Sequence, residues 1–325
     1  METTYNWGII GAGRIANQFA AGLKELSNAK CYAIAARSRE RAETFRERHG
    51  FEKAYGSYEE MLADPAVDIV YISTTNNLHF KHTIMCLEAG KAVLCEKPFA
   101  SNPEQVQQMV AQAREKNVFL MEALWSRFLP SMMQFKAEMQ QGTIGKPLLL
   151  QCDFGFIAPF DPERRVYNPE LGGGSVPDIG IYPLFTALYL FGVPVEIKVT
   201  SVPAPTGTDW TTSILLKHPG KEISLLVSSF EMNLSNEARL YGEGGYLKLH
   251  RMFHIPTRLS VTLNEGEETE IPTPSVGNGY NYEAAEVMAC LDQGLTESPN
   301  LPLQFSIELM QVLDTVCRLA EESYR

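Results

Sequence analysis

Tyr5-Asn6-Trp7-Gly8-Ile9-Ile10-Gly11-Ala12-Gly13-Arg14-Ile15-Ala16 is the stretch on which the fold turns. The apolar run from Tyr5 to Ile10 reads as a short strand, and it enters a G-x-G-x-x-A turn that opens a helix. Gly11 permits the tight turn, and Gly13 lets the backbone approach a pyrophosphate. The small Ala16 lets the helix pack closely on the strand, with its N-terminus facing the anion. Ile15, Phe19, Leu23 and Leu26 then recur at helical spacing. Glycine turns also serve simply to join a strand to a helix, so the nucleotide reading depends on the rest of the chain.

A second strand over 31–36 ends at Arg37-Ser38-Arg39, with Arg41 beyond. A site for NAD wants Asp or Glu here to accept from the ribose 2′-hydroxyl, and none precedes Glu40. Arg37 and Arg41 suit a 2′-phosphate instead, with Ser38 donating a further hydrogen bond, so NADP is expected and NAD is less favoured. The bland reading of these residues is a solvated, charge-rich helix start. Strand 68–73, a helix to 89, strand 92–95, helix 103–116 and strand 118–121 continue the alternation, which predicts a doubly wound parallel sheet. Thr74, Asn76 and His79 follow the 68–73 strand at its carboxyl end, where such sheets place ligands. His79 has the plain alternative of a helix-start histidine satisfied by backbone, and His82 one turn later has no third metal ligand in view, so no metal is expected.

The strand Ala92-Val93-Leu94-Cys95 delivers Glu96-Lys97-Pro98 at its carboxyl end. A fixed ammonium there polarises a substrate oxygen or lowers the pKa of a neighbouring hydroxyl, so Lys97 is the candidate reaction centre. Near Glu122 the alternation stops. Trp125-Ser126-Arg127-Phe128-Leu129-Pro130 opens an amphipathic helix to about residue 140. Strands occupy 148–156, 196–202, 211–217, 222–230, 238–241, 246–250 and 259–263, several joined by turns short enough for antiparallel hairpins. The expected organisation is an α/β chain with a dinucleotide-binding domain over 1–122 and an α+β domain over 123–325 that carries a large, mostly antiparallel open sheet. An uncovered sheet face favours a homodimer through that sheet.

Within the second domain, Leu171-Gly172-Gly173-Gly174-Ser175-Val176-Pro177-Asp178-Ile179-Gly180-Ile181-Tyr182-Pro183 joins a glycine loop to a buried helix reaching Phe191. Asp178 and Tyr182, four apart, share a face if the helix is continuous, but Pro183 argues for a first helical turn near it, with the pair in the turn before the helix. Tyr182 is the candidate general acid/base: a phenol is a poor base at neutral pH, and an ammonium such as Lys97 favours its phenolate. Asp178 would orient Lys97 or a substrate hydroxyl. Phe154, Phe156 and Trp125 offer apolar walls for a ring, although aromatic residues on strands more often belong to the core.

The net charge of −11 and the lack of a basic patch argue against nucleic-acid binding. No run approaches the length of a membrane span, and Met1-Glu2-Thr3-Thr4 does not begin a signal peptide, so a cytoplasmic protein is expected. The six cysteines stand singly in apolar runs and read as reduced core thiols.

Gly11-Ala12-Gly13, Glu96-Lys97-Pro98 and Asp178-Ile179-Gly180-Ile181-Tyr182, in that order on one chain, resemble the Gfo/Idh/MocA oxidoreductase family. Lys53 to Glu60, Met121 to Phe128 and Glu297-Ser298-Pro299 look most like its dimeric dihydrodiol dehydrogenase branch, and the likeness runs the length of the chain. The resemblance implies NADP-dependent hydride transfer on a trans-dihydrodiol or an aldose such as D-xylose, with Lys97, Asp178 and Tyr182 in catalytic positions. His79 matches the family's histidine after the fourth strand and joins the catalytic set. The substrate residues are Phe154, Phe156, Asp178 and Tyr182. Cofactor contacts are expected from Gly11, Gly13, Arg14, Ile15, Arg37, Ser38, Arg41, Thr74, Asn76, Glu96, Lys97, Trp125 and Arg127. Thr75 departs from the proline that many members carry before the asparagine matched by Asn76. The rival reading is a catalytically silent NADP-binding regulator that senses a sugar or redox state on the same fold.

Overall fold

The computed structural model describes residues 3–264 and 266–324; Met1 and Glu2, the first two residues of the amino-terminal stretch considered for a signal peptide, lie outside them. By packing the chain separates into two units, Met1–Phe128 with Val276–Ile307, and Leu129–Ser275 with Glu308–Arg325. The sequence reading divides the chain once, at 122/123, because nothing in local periodicity tells which core a distant helix will join.

The first unit is built on a parallel sheet of six strands, β1 (Tyr5–Ile10), β2 (Ala29–Ala35), β3 (Lys53–Tyr55), β4 (Ile69–Ile72), β5 (Ala92–Glu96) and β6 (Leu120–Ala123), in the order β3-β2-β1-β4-β5-β6. All residues of β4, β5 and β6 are buried, as expected of strands covered on both faces. Helices α1 (Arg14–Leu23), α2 (Arg39–His49), α3 (Tyr58–Leu62), α4 (Asn76–Glu88) and α5 (Pro103–Lys116) connect them. Their limits are written locally. Ser38, Ser57 and Asn102 cap α2, α3 and α5 by accepting from backbone N–H groups, and Gly50 ends α2 in the left-handed conformation. The order reverses between β1 and β4, the switch point at which such sheets bind nucleotides.

The second unit holds α6 (Pro130–Gln141), α7 (Ile181–Phe191) and eight strands: β7 (Pro147–Gly155), β8 (Glu196–Pro203), β9 (Asp209–Lys217), β10 (Ile223–Ser229), β11 (Ala238–Gly242), β12 (Gly245–Leu249), β13 (Leu259–Leu263) and β14 (Thr269–Ile271). Their order is β14-β13-β12-β11-β7-β10-β9-β8, and only the central β7–β10 pair is parallel. One face buries Leu150, Cys152, Phe154, Ile214, Leu216 and Leu226, with α7 packed on β7 and β10. The other face is open, and exposed Leu215, Ile223 and Leu225 lie on it. The chain ends in α8 (Tyr280–Asp292), which packs on α1 in the first unit, and α9 (Leu303–Tyr324). Among the described residues no helix is long and apolar enough to cross a membrane.

Candidate active site

At the end of β1 the Gly11 amide donates to the Ala35 carbonyl at 3.0 Å, and Gly11 has φ +100, a conformation that side chains resist. A Cβ at Gly11 would meet the Ser73 carbonyl oxygen at 3.1 Å. The Ser73 hydroxyl in turn donates to the Ile10 and Gly11 carbonyls at 3.1 and 3.0 Å, so the ends of β1 and β4 are laced together at the switch point. Gly13 is the N-cap of α1 and supplies no side chain, which leaves the first amides of that helix facing outward beside Arg14 and Ile15. The glycine cradle and the open helix N-terminus fit a dinucleotide pyrophosphate.

Arg37 and Arg41 are exposed at the end of β2. The Ser38 hydroxyl accepts from the Arg41 amide at 3.4 Å, and the Arg41 guanidinium reaches the Ala12 carbonyl at 3.5 Å, which turns it toward the glycine loop. Burial pushes the Tyr58 phenol up while Arg37 and Arg41 pull it down, so both cations stand near one ring. The first acid after β2, Glu40, is exposed in the first turn of α2.

Thr74 and Asn76 follow β4, with Asn76 buried as the first residue of α4. The Thr74 hydroxyl pairs with His82 Nδ1 at 3.0 Å, and burial drives the His82 pKa down to about 4. His79 is buried, with Nδ1 at 2.8 Å from the Pro98 carbonyl and Nε2 at 3.2 Å from the Thr74 carbonyl. Its ring thus ties the loop after β4 to the turn that carries Lys97.

Glu96 ends β5. It accepts from the Tyr71 hydroxyl in a short hydrogen bond and from the Lys97 amide at 3.2 Å. Two further buried carboxyl groups stand near it. Glu122 accepts from the Phe99 amide at 3.1 Å, and burial raises its pKa to about 7. Glu283 of α8 is fully buried, with neither oxygen hydrogen-bonded among the described residues, and burial followed by the Glu96 charge pushes it well above the carboxylate range. Trp125 stacks on Tyr280 at 4.2 Å, and Arg127 donates from Nε to the Asn300 carbonyl at 2.8 Å. These contacts give Trp125 and Arg127 a packing role within the first unit beside any role at the cofactor.

In the second unit the glycine loop leads into a π-helical turn, Val176–Gly180, followed by α7. Asp178 lies in the π turn and Tyr182 in the first turn of α7, and Gly180 between them is itself helical, so the two run on without a break and Pro183, having no N–H, leaves a carbonyl of the preceding turn unserved. The turn is pinned by buried Asp209, whose carboxylate accepts from the Ser175 hydroxyl at 2.6 Å and the Val176 amide at 2.8 Å. Tyr182 is buried against the His254 ring at 4.9 Å and Phe154 at 5.8 Å, and Phe154 lies 4.2 Å from His254. Phe156 is exposed beside Phe154 and packs on Phe230. Asp178 accepts from Arg165 Nη2 at 2.6 Å.

Arg165, His254, Asp209 and Glu283 were not singled out by sequence. No motif carries them. Asp209 takes the Ser175 hydroxyl from 34 residues earlier in the chain and His254 packs on the distant Phe154, while Arg165 reaches Asp178 thirteen residues on.

A Rossmann sheet with a glycine cradle at its switch point, followed by a large open sheet, defines the class of two-domain oxidoreductases built on a dinucleotide-binding fold. Residues 5–124 match the family model described as oxidoreductase family, NAD-binding Rossmann fold, and residues 132–248 match the GFO/IDH/MocA C-terminal domain. The chain belongs to the Gfo/Idh/MocA family. It is 41% identical over 320 residues to trans-1,2-dihydrobenzene-1,2-diol dehydrogenase of Mus musculus, covering 95% of this chain and 94% of that one. It is similar to the aldose-aldose oxidoreductase from Caulobacter crescentus complexed with glycerol, with a TM-score of 0.90, 25% identity and 98% of each chain covered. A 3-ketoreductase from Actinomadura kijaniata in complex with NADP and TDP-benzene gives a TM-score of 0.88, 25% identity and the same coverage.

Proposed function

We propose that this protein transfers a hydride reversibly between NADP and the carbinol or carbonyl carbon of an aldose or trans-diol. The observation that carries the cofactor choice is Arg37-Ser38 and Arg41 at the end of β2, where an acid would read the ribose of NAD. Gly11, Gly13, Arg14 and Ile15 would hold the pyrophosphate, with Arg37, Ser38 and Arg41 on the 2′-phosphate. Thr74, Asn76 and Glu96 would line the nicotinamide side. When bound, the nicotinamide supplies the acceptor or donor of the hydride.

The remaining chemistry is a proton. As the carbinol C–H leaves as hydride, its O–H proton must also leave, and Tyr182 is the group we assign to take it. Lys97, at the end of β5, would steady the substrate oxygen. Asp178 orients the hydroxyl groups, and His79 is the positioning residue that keeps the Lys97 turn and the Thr74 loop in register. The substrate names of the diol dehydrogenase and the aldose oxidoreductase support the polyol class. We also assign the open face of the large sheet to a homodimer, since Leu215, Ile223 and Leu225 form an apolar stripe there that water would otherwise cover.

The test is turnover of purified protein with NADP or NAD against aldoses, cyclitols and trans-diols, followed by nicotinamide absorbance. Turnover with NADP and one substrate class is expected. Replacing Arg37 and Arg41 by Gln should weaken NADPH far more than NADH; equal losses would refute the phosphate assignment. Tight NADPH binding without turnover would favour the silent regulator.

A further inference from the structure

Arg165 opens a 3-10 turn, Arg165–Tyr167, whose backbone is held from several sides. The Gly174 amide donates to the Val166 carbonyl and the Gly173 amide to the Asn168 carbonyl, each at 2.9 Å, while the buried Tyr167 hydroxyl donates to the Ala158 carbonyl at 2.6 Å. Gly173 is required by closeness, since a Cβ there would meet the Arg165 carbonyl oxygen at 2.8 Å. The guanidinium is therefore aimed by a fixed backbone. Its Nη2 is on Asp178, and its Nη1 is buried with no hydrogen-bond partner among the described residues.

A structural ion pair has no need of this arrangement. The two side chains are 32% and 18% exposed, a setting in which an ion pair contributes little, and a buried donor left unmade is costly. The arrangement makes sense with a ligand oxygen on Nη1. A guanidinium only donates and a carboxylate only accepts, whereas a hydroxyl does both. Two hydroxyls on adjacent carbons satisfy the pair together, one donating to Asp178 and its neighbour accepting from Nη1.

We propose that Arg165 and Asp178 form a clamp for a vicinal diol, with Arg165 as the residue that reads the hydroxyl next to the reacting carbon. This rests on the reading that Asp178 lines the substrate site. Such a clamp would suit either a trans-diol or an aldose, the substrates named for two proteins similar to this chain, because both carry that pair of hydroxyls. An isolated alcohol fills only half of the clamp.

The experiment compares wild type with Arg165→Gln and Arg165→Lys on trans-1,2-cyclohexanediol against cyclohexanol, and on D-xylose against its 2-deoxy analogue. The wild type should prefer the vicinal substrate. Arg165→Gln should shrink that preference by about 10-fold or more, through KM, as expected for a lost hydrogen bond to a charged group. NADPH affinity should be unchanged. Arg165→Lys keeps the charge but not the fork and should also lose discrimination. Unchanged preference in variants that bind NADPH normally overturns the proposal. If neither variant folds, equal wild-type kcat/KM for D-xylose and its 2-deoxy analogue overturns it. Should the wild type turn over nothing, calorimetric binding of D-xylose to the NADP-saturated protein decides separately. Binding that Arg165→Gln abolishes keeps the clamp while rejecting the oxidoreductase reading, and no binding rejects the clamp.

Discussion

Tyr182 is buried between a histidine and a phenylalanine ring. Phe in its place fills the same space, so Tyr182→Phe isolates the hydroxyl. We expect kcat to fall by about 10²–10⁴, the usual contribution of a positioned acid/base, with NADPH binding unchanged. An undiminished kcat would remove Tyr182 from proton transfer. Glu122 makes a different prediction, about stability. Its folded pKa is raised from 4.5 to about 7, so between those values the folded state holds a proton that the unfolded chain has released. Stability therefore falls as pH rises through that window and levels off above it. Glu122→Gln mimics the protonated form and keeps an acceptor for the Phe99 amide. It should match wild type near pH 4 and exceed it at pH 8 by about 1–3 kcal/mol in urea unfolding; equal stability at pH 8 would show that Glu122 is ionised at no cost. Lys97, Asp178 and Tyr182 stand out in the sequence as candidates because each sits in a short motif. Glu122 was read only as the point where the alternation ends, since its burial depends on packing that its neighbours in sequence do not reveal.

At the scale of elements, the turn carrying Asp178 is held by Asp209, the first residue of β9. Its carboxylate is buried and also receives the Thr212 hydroxyl at 3.3 Å. Asp209→Ala strands the Val176 amide in the interior and leaves the Ser175 hydroxyl only the Ser228 hydroxyl at 2.9 Å, at an expected cost of about 1–3 kcal/mol. Because these groups begin the π turn, the same variant should lower kcat/KM on the polyol at temperatures where it remains folded. A loss of stability alone would limit Asp209 to holding the fold. The strand–helix alternation of the first unit was readable because parallel strands buried on both faces are continuous apolar runs. The second unit was read less completely. β14 is three residues long, and two of them are exposed, so it carries no apolar pattern. The parallel pairing of β7 with β10 joins residues more than seventy apart, and no hairpin signal reports it. Pro183 misled the reading of the helix start: the backbone is already helical from the π turn onward, so Tyr182 lies inside α7 rather than in a turn before it.

For the whole molecule, the open sheet face raises the question of what covers it. Leu215 and Leu225 are opposed in register on β9 and β10, with Ile223 beside them, and their exposures of 36%, 41% and 41% are high for leucine and isoleucine on central strands. The strip is bordered by Lys198 and Lys217 on one side and Asp153 and Arg239 on the other, so charges of both signs ring an apolar centre. An apolar strip ringed by charges of both signs can pair with a copy of itself across a two-fold axis, which is the arrangement a symmetric dimer through this face would use. Leu225→Glu puts a carboxylate in the middle of the strip. In a monomer that position is exposed and the change is tolerated; in a dimer it buries two like charges near the two-fold axis without partners. Sedimentation should give a dimer for wild type and about half that mass for the variant, with the far-ultraviolet spectrum unchanged. A monomeric wild type, or a variant of undiminished mass, would reject the sheet as the interface.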